Sequence, residues 1–178
     1  MNYWDSFYIN FRENKPSDFA KFVFDLNIID KNDKIIDIGC GTGRDTKFFQ
    51  RHFDASGIDC AEISDFKYIK SDISDVIKDK CLYDVVYSRF FFHSITPELT
   101  QKIIEWSKKW LVAEFRVKED VPTLFVNHKR YLVDPDWFKS VLERTHDIQY
   151  FEISRGWSKY KNEDPILARV IAKRRSRV

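Results

Sequence analysis

An acid placed two residues before a run of spaced glycines is the feature of this 178-residue chain most able to do chemistry. Asp37-Ile38-Gly39-Cys40-Gly41-Thr42-Gly43-Arg44-Asp45 follows the apolar run Ile35-Ile36. Continuous apolar runs read as buried parallel strands. Glycines at the turn that follows let the backbone approach a ligand closely. Three nucleotide-binding patterns compete for such a turn. The dinucleotide fingerprint G-x-G-x-x-G needs its last glycine where Arg44 stands, so it fails. A P-loop needs Gly-Lys-Ser/Thr to cradle phosphates, and none follows. The third pattern uses Asp37 itself. A carboxylate there repels a pyrophosphate and attracts a ligand carrying ammonium and sulfonium charges. A glycine-rich turn with no ligand is the bland alternative.

Further acids and cations fall at the ends of other apolar runs. Asp59 closes a predicted second strand over residues 53–58, where a carboxylate can bind both hydroxyls of a ribose. Asp72 follows a short predicted third strand over residues 66–70. It reads either as a ligand contact or as the cap of a helix starting near Ser74, and the two are compatible. His93 lies just after the strong fourth strand, residues 83–88, with the neutral-range titration that suits a general base. A satisfied histidine at a helix start is the other reading.

Cationic groups gather at the same loops: Arg89, Arg116, Arg130 beside Tyr131, and Arg155 before Tyr160. Arginine forks match phosphate or carboxylate bidentately. Together they predict an anionic acceptor, contacted by Arg116, Arg130, Tyr131, Arg155 and Tyr160, with His93, Arg89 and Arg116 as the catalytic set. An ionised phosphate oxygen needs no base, which would leave His93 a positioning role.

These residues need a scaffold, and the chain is long enough to bury a sizeable core as one domain. Hydrophobic content of 43% with 16% aromatics argues against disorder. A net charge of +2 demands neither nucleic acid nor membrane as partner. Cys40, Cys60 and Cys81 have no paired spacing and read as reduced thiols, neither a disulfide frame nor a zinc site. No signal peptide or long apolar span is visible, so a cytoplasmic location is expected. Ser17 is a candidate cap for a helix carrying Phe19, Phe22, Val23 and Leu26 at helical spacing. The preceding Tyr3, Trp4, Phe7 and Tyr8 either pack in the core or lie as a lid over the ligand.

Residues 45–52 read as the first crossover helix. Thr96-Pro97 opens another, with Leu99, Ile103, Trp106 and Trp110 on its face, and Asp134-Pro135 opens a third. Residues 111–116, 148–153 and 166–172 complete the strands. Strands alternating with helical patterns predict an α/β parallel sheet covered on both faces. Ligands in such sheets bind beyond the carboxyl ends of the strands, at the switch point.

The pattern D-x-G-x-G-x-G beginning at Asp37 resembles motif I of the class I S-adenosylmethionine (SAM) methyltransferases. That resemblance implies a Rossmann-like fold, mostly parallel and seven-stranded, with an antiparallel terminal pair. It implies one domain over residues 1–178, residues 1–30 forming a lid and helix and residues 31–178 the core. It implies SAM contacts from Tyr8, Asp37, Gly39, Cys40, Gly41, Asp45, Asp59, Cys60, Asp72, Ile73 and Ser88, with no metal. The segment after Asp59 is shorter than the family's usual helix. Ser88-Arg89-Phe90-Phe91-x-His93, Glu114-x-Arg116 and Ser154-Arg155-Gly156 are similar to a bacterial subgroup linked with surface polysaccharide and with methylation of phosphate or phosphoramidate groups. The implied partner is a small anionic substrate, and the protein a monomer or dimer. A nucleic-acid methyltransferase is the rival, with Lys173-Arg174-Arg175-Ser176-Arg177 as its basic run, although prolines of the amino-methylating motif are missing after Ser88. A SAM-binding partner protein without activity is the other.

Overall fold

Neighbouring apolar residues on the central strands face opposite ways, and this divides the core in two. In the computed structural model, which describes residues 4–5, 8, 13–62, 67–78, 80–120, 130–159 and 163–176, the strands are β1 (Lys34–Ile38), β2 (Asp54–Asp59), β3 (Ile69–Lys70), β4 (Val85–Arg89), β5 (Trp110–Arg116), β6 (His146–Ser154) and β7 (Leu167–Arg174). The helices are α1 (Asp18–Asp25), α2 (Arg44–Phe49), α3 (Ile73–Val76), α4 (Pro97–Trp106) and α5 (Pro135–Leu142). On one face Ile36, Val86, Leu111 and Phe115 pack with Ile103 and Ile104 of α4 and Phe138 and Leu142 of α5. On the other, Ile35, Val85, Tyr87 and Val112 pack with Phe19 and Val23 of α1 and Phe49 of α2.

The seven strands lie in the order β3-β2-β1-β4-β5-β7-β6. β1 pairs in parallel with both β2 and β4, and β4 with β5. β7 pairs antiparallel with β5 and β6, so the terminal pair is antiparallel as the resemblance implies. The chain leaves β1 toward β2 and β3, then returns to its other side for β4 and β5. The switch point is therefore the crevice beyond the tips of β1 and β4.

Capping follows the sequence. Ser17 Oγ accepts from Ala20 N at 3.0 Å, and Thr96 Oγ1 from Leu99 N at 3.3 Å. Asp134 Oδ1 accepts from Asp136 N and Trp137 N at 2.9 and 3.2 Å. Each satisfies helix-end donors that otherwise lack a partner.

Some expectations need correction. Trp110 is not on the α4 face. Ser107 leaves the helix with ψ 138°, and Trp110 starts β5, paired with Val85 and Lys173. The described part of the third strand is only Ile69–Lys70, and Phe66, its expected first residue, lies outside the described residues. The last two strands run longer than expected, with a bulge between Ile148 and Tyr150. Among the described residues no helix is long and apolar enough to cross a membrane.

At the sheet end remote from the crevice, His146 is fully buried. Its Nε2 lies 2.7 Å from Ser107 Oγ and its Nδ1 2.8 Å from Thr145 Oγ1. Ser107 Oγ donates to Ile104 O, so the ring proton sits on Nε2. Burial, then the charges of Arg174 and Arg175, push the His146 pKa down to about 4. A base whose folded pKa is lowered binds fewer protons folded than unfolded, so stability falls as pH drops from about 6.5 toward 4. The expected loss at pH 5 is on the order of 2 kcal/mol. Urea unfolding at pH 7 and pH 5 checks it: His146→Gln, which keeps a donor toward Ser107 but does not titrate, should lose less than the parent.

Candidate active site

The glycine turn is built for close contact. Gly39, Gly41 and Gly43 have φ of 71°, 52° and 73°, in the left-handed region that side chains disfavour. A Cβ on Gly39 would lie 2.4 Å from Phe91 Cδ2, and one on Gly41 2.7 Å from Tyr8 Cε1. Gly39 N and Cys40 N both donate to Ile58 O, tying the turn to the β2 tip. The ring of Tyr8 thus lies on the glycine turn, with Trp4 stacked 6.0 Å from it. Asp5 accepts from Glu62 N at 2.8 Å beyond the β2 tip. Tyr3 and Phe7, the other lid candidates, lie outside the described residues.

Three acids reach this wall. Asp37 is buried, and its Oδ2 accepts from Thr46 Oγ1 at 2.6 Å. Burial and then the Asp45 carboxylate push the Asp37 pKa up to about 8. Asp59 Oδ2 accepts from Gly41 N and Oδ1 from Ala61 N, each at 2.9 Å, while burial raises its pKa. Asp72 caps α3 by accepting from Ser74 N at 2.8 Å, yet also lines the cleft beside Ile73. Cap and lining position coexist, as the sequence allowed. An acid held protonated first by burial and then by a neighbouring carboxylate is suited to a cationic ligand, which would restore its charge.

Asp45 is more committed. Its Oδ1 accepts from Ser17 N, and its Oδ2 from Ser17 Oγ and Tyr87 Oη, at 2.7 to 2.8 Å. It lines the cleft while joining α1 to α2. Cys40 and Cys60 also line it, and burial together with the nearby carboxylates raises both thiol pKa values, so neither is an activated nucleophile.

Across the crevice, the β4 and β5 tips carry the cations, but as ion pairs. Arg89 Nε donates to Glu114 at 2.8 Å, and its Nη2 to Ser158 Oγ at 2.7 Å. Arg116 Nη1 donates to Asp120 at 3.0 Å, and its Nη2 to Glu163. His93 is buried, and its Nδ1 accepts from Arg116 N at 3.3 Å. The neutral ring then carries its proton on Nε2, as a donor. Phe90, between Arg89 and this histidine, adopts φ 58°, a strained conformation for a bulky residue.

Asp37, Gly39, Cys40, Gly41, Asp45, Asp59, Cys60, Asp72 and Ile73 thus share one cleft of about 930 Å³ with Tyr8, Arg89, His93, Arg116 and Arg130. Small-molecule sites span about 300–1,000 Å³, so this cleft lies near the upper end of that range. Three expected residues are not on its lining. Ser88 Oγ turns back to Ile38 O, Tyr131 N bonds His93 O, and Arg155 donates to Asp164 O. Tyr160 lies outside the described residues. The final loop enters instead through Gly156–Lys159, held where Asp164 Oδ1 accepts from Gly156 N at 2.7 Å. Phe90, Trp157, Lys159 and Glu163 are further lining residues: Phe90 lies inside the 88–93 stretch, and the other three follow Ser154-Arg155-Gly156 in the final loop.

A family model described as a methyltransferase domain matches residues 8–164. The chain belongs to that methyltransferase family. With this sheet order and motif it is a class I, SAM-dependent methyltransferase. Solved structures agree in fold. A SAM-dependent methyltransferase from Listeria monocytogenes, described only by its class, shares 14% identity at a TM-score of 0.65, over 89% of this chain and 99% of that one. Magnesium protoporphyrin IX methyltransferase from Synechocystis, solved with S-adenosylhomocysteine (SAH), shares 15% at 0.61, over 88% and 80%. A toxoflavin-precursor N1-methyltransferase from Burkholderia thailandensis, solved with acceptor and SAH, shares 12% at 0.67, over 89% and 77%. No curated protein matches the chain. In the methyltransferase two arginines of the C-terminal basic run bear on its own scaffold: Arg174 donates to Glu105 O and Arg175 to Glu143 O and Asp147.

Proposed function

We propose that the methyltransferase moves a methyl group from SAM to an oxygen of a small anionic acceptor, such as a phosphorylated sugar or a surface-polysaccharide precursor. The observation that carries this reading is the placement of the lining charges, with Asp37, Asp45, Asp59 and Asp72 on the β1–β3 side beside Arg44, and Arg89, Arg116, Arg130 and Lys159 on the β4–β5 side beside Glu163. Asp37 would face the ammonium of SAM, Asp59 the ribose hydroxyls and Asp72 with Ile73 the adenine, while Tyr8 and Trp4 exclude water from above. Bound there, SAM would supply an electrophilic methyl, the new O–C bond to the acceptor forming as the C–S electron pair returned to a neutral thioether sulfur. Arg116, Arg130 and Lys159 hold the acidic group of the acceptor at the far wall. His93, with its Nδ1 accepting from Arg116 N, has no ring lone pair left to remove a proton, so its role on this wall of the cleft is positioning. An acceptor oxygen already ionised suits that arrangement. Holding nucleophile and methyl in attack geometry can supply roughly 7–11 kcal/mol without further chemistry.

Titration calorimetry with SAH is expected to show one site, weakened on the order of tenfold or more by Asp59→Ala, which removes hydrogen bonds to a charged group. Methyl uptake by phosphorylated sugars should fall in Arg116→Gln while SAH affinity holds. No heat and no thermal shift with SAH overturns the cofactor assignment. Equal loss for both ligands in Arg116→Gln overturns the acceptor assignment.

A further inference from the structure

The two carboxylates on Arg116 are held very differently. Asp120 Oδ2 accepts from Arg116 Nη1 at 3.0 Å while its Oδ1 accepts from Ile166 N at 3.1 Å, and its side chain is 4% exposed. It is an anchored partner that fixes the guanidinium plane. Glu163 accepts from Nη2 on the cleft side, and its side chain is 36% exposed. We propose that Glu163 is a specificity-determining residue: its carboxylate occupies the cleft-side Nη2 arm of Arg116 that the acceptor would take, so that phosphate dianions enter and monocarboxylates are turned away. This deepens the anionic-acceptor reading above and rests on it.

The selection follows from competition for that one arm. A side chain three residues ahead of the anchored Ile166 N competes at an effective concentration of about millimolar or above. A free monocarboxylate offers Arg116 the same charge and the same two oxygens, and in addition loses translational freedom on binding. It gains nothing by exchange. A phosphate monoester carries about −1.5 to −2 charge at pH 7 and three acceptor oxygens. It can hold Arg116 and also reach Arg130 or Lys159, which line the same half of the cleft. The dianion therefore displaces Glu163 where the monoanion does not.

Phenyl phosphate and benzoate, which differ only in the anionic group, test this by calorimetry on the SAH-loaded protein at pH 7.5. The parent should bind phenyl phosphate at least about tenfold more tightly than benzoate, and Glu163→Gln should raise benzoate affinity about tenfold and narrow that ratio. Glu163→Ala should do the same, and SAH affinity reports that each variant is folded. Arg116→Lys, which keeps charge but loses the fork, should weaken both probes in the parent and in the Glu163 variants. Phenyl phosphate binding that depends on Arg116, with a ratio unmoved by Glu163→Gln, overturns the filter and leaves the anionic acceptor standing. Binding of neither probe, or binding indifferent to Arg116, overturns both.

Discussion

Replacing Asp37 by asparagine is expected to weaken SAH binding about 10–100-fold while making the ligand-free protein more stable. The first effect is the loss of a charge-assisted contact, worth about 1.5–3 kcal/mol. The second comes from burial. Asp37 sits at the tip of β1 with its pKa pushed up to about 8, first by desolvation and then by Asp45. An acid whose folded pKa is raised binds more protons folded than unfolded, so stability falls as pH rises from about 4 through 8. Asparagine removes that dependence and keeps an oxygen to accept from Thr46 Oγ1. Chemical unfolding should therefore favour the variant by a few kcal/mol at pH 8 and by almost nothing at pH 4. Cofactor binding should be linked to the same proton. Parental affinity for SAH should rise between pH 6 and 8, by up to about tenfold per unit, whereas the variant stays flat. A variant less stable than the parent at pH 8, or one that binds SAH equally well, contradicts the electrostatic role given to Asp37.

The placement of Asp37 at the head of the glycine turn was legible in the sequence because its signal is local. Asp37, Gly39, Gly41 and Gly43 lie within seven positions, and a continuous apolar run announces the strand that carries them. Ser17, Thr96 and Asp134 were legible as caps for the same reason, since a cap bonds two or three residues ahead. Trp110 misled because it stands four residues after Trp106, a helical spacing, although Ser107 had already turned the chain into β5.

What the sequence hides is the pairing of distant charges. Arg89, Arg116 and Arg155 read as a cationic mouth, yet Glu114 lies 25 positions from Arg89 and Glu163 lies 47 from Arg116, while Arg155 bonds a backbone carbonyl, Asp164 O, nine residues on. Only the sheet order, with β7 inserted between β5 and β6, brings the 163–164 acids to the β5 tip. The strained φ of Phe90 is equally silent, because no glycine or asparagine marks it. It arises where Phe90 N must reach Glu114 O at 2.8 Å as the chain leaves β4.

Glu114 is where this hidden pairing matters most, and Glu114→Ala is expected to cost about 3–5 kcal/mol of folding stability. The carboxylate is fully buried in β5. Its Oε1 accepts from Arg89 Nε at 2.8 Å and its Oε2 from Arg169 Nε at 2.7 Å. Arg169 is in turn covered by Trp157, 4.4 Å from its ring centroid, and by Phe19 and Phe22. Deleting the acid leaves two mostly buried guanidinium groups facing each other without their shared partner, which is the costly way to break a buried pair. Because domains of this size are stable by only about 5–15 kcal/mol, urea midpoints should fall sharply. Replacing the partners together, Glu114→Leu with Arg169→Met, should recover much of that loss, since a packed apolar pair is often as stable as a buried ionic one. Turnover should not recover with it. Arg89 would still lack the carboxylate that aims its second arm at Ser158, and the Trp157–Ser158 wall would lose both of its tethers. Stability and turnover that return together in the double variant would reduce the bridge to a packing element. A single variant within about 1 kcal/mol of the parent would mean that Glu114 does not hold the two arginines at all.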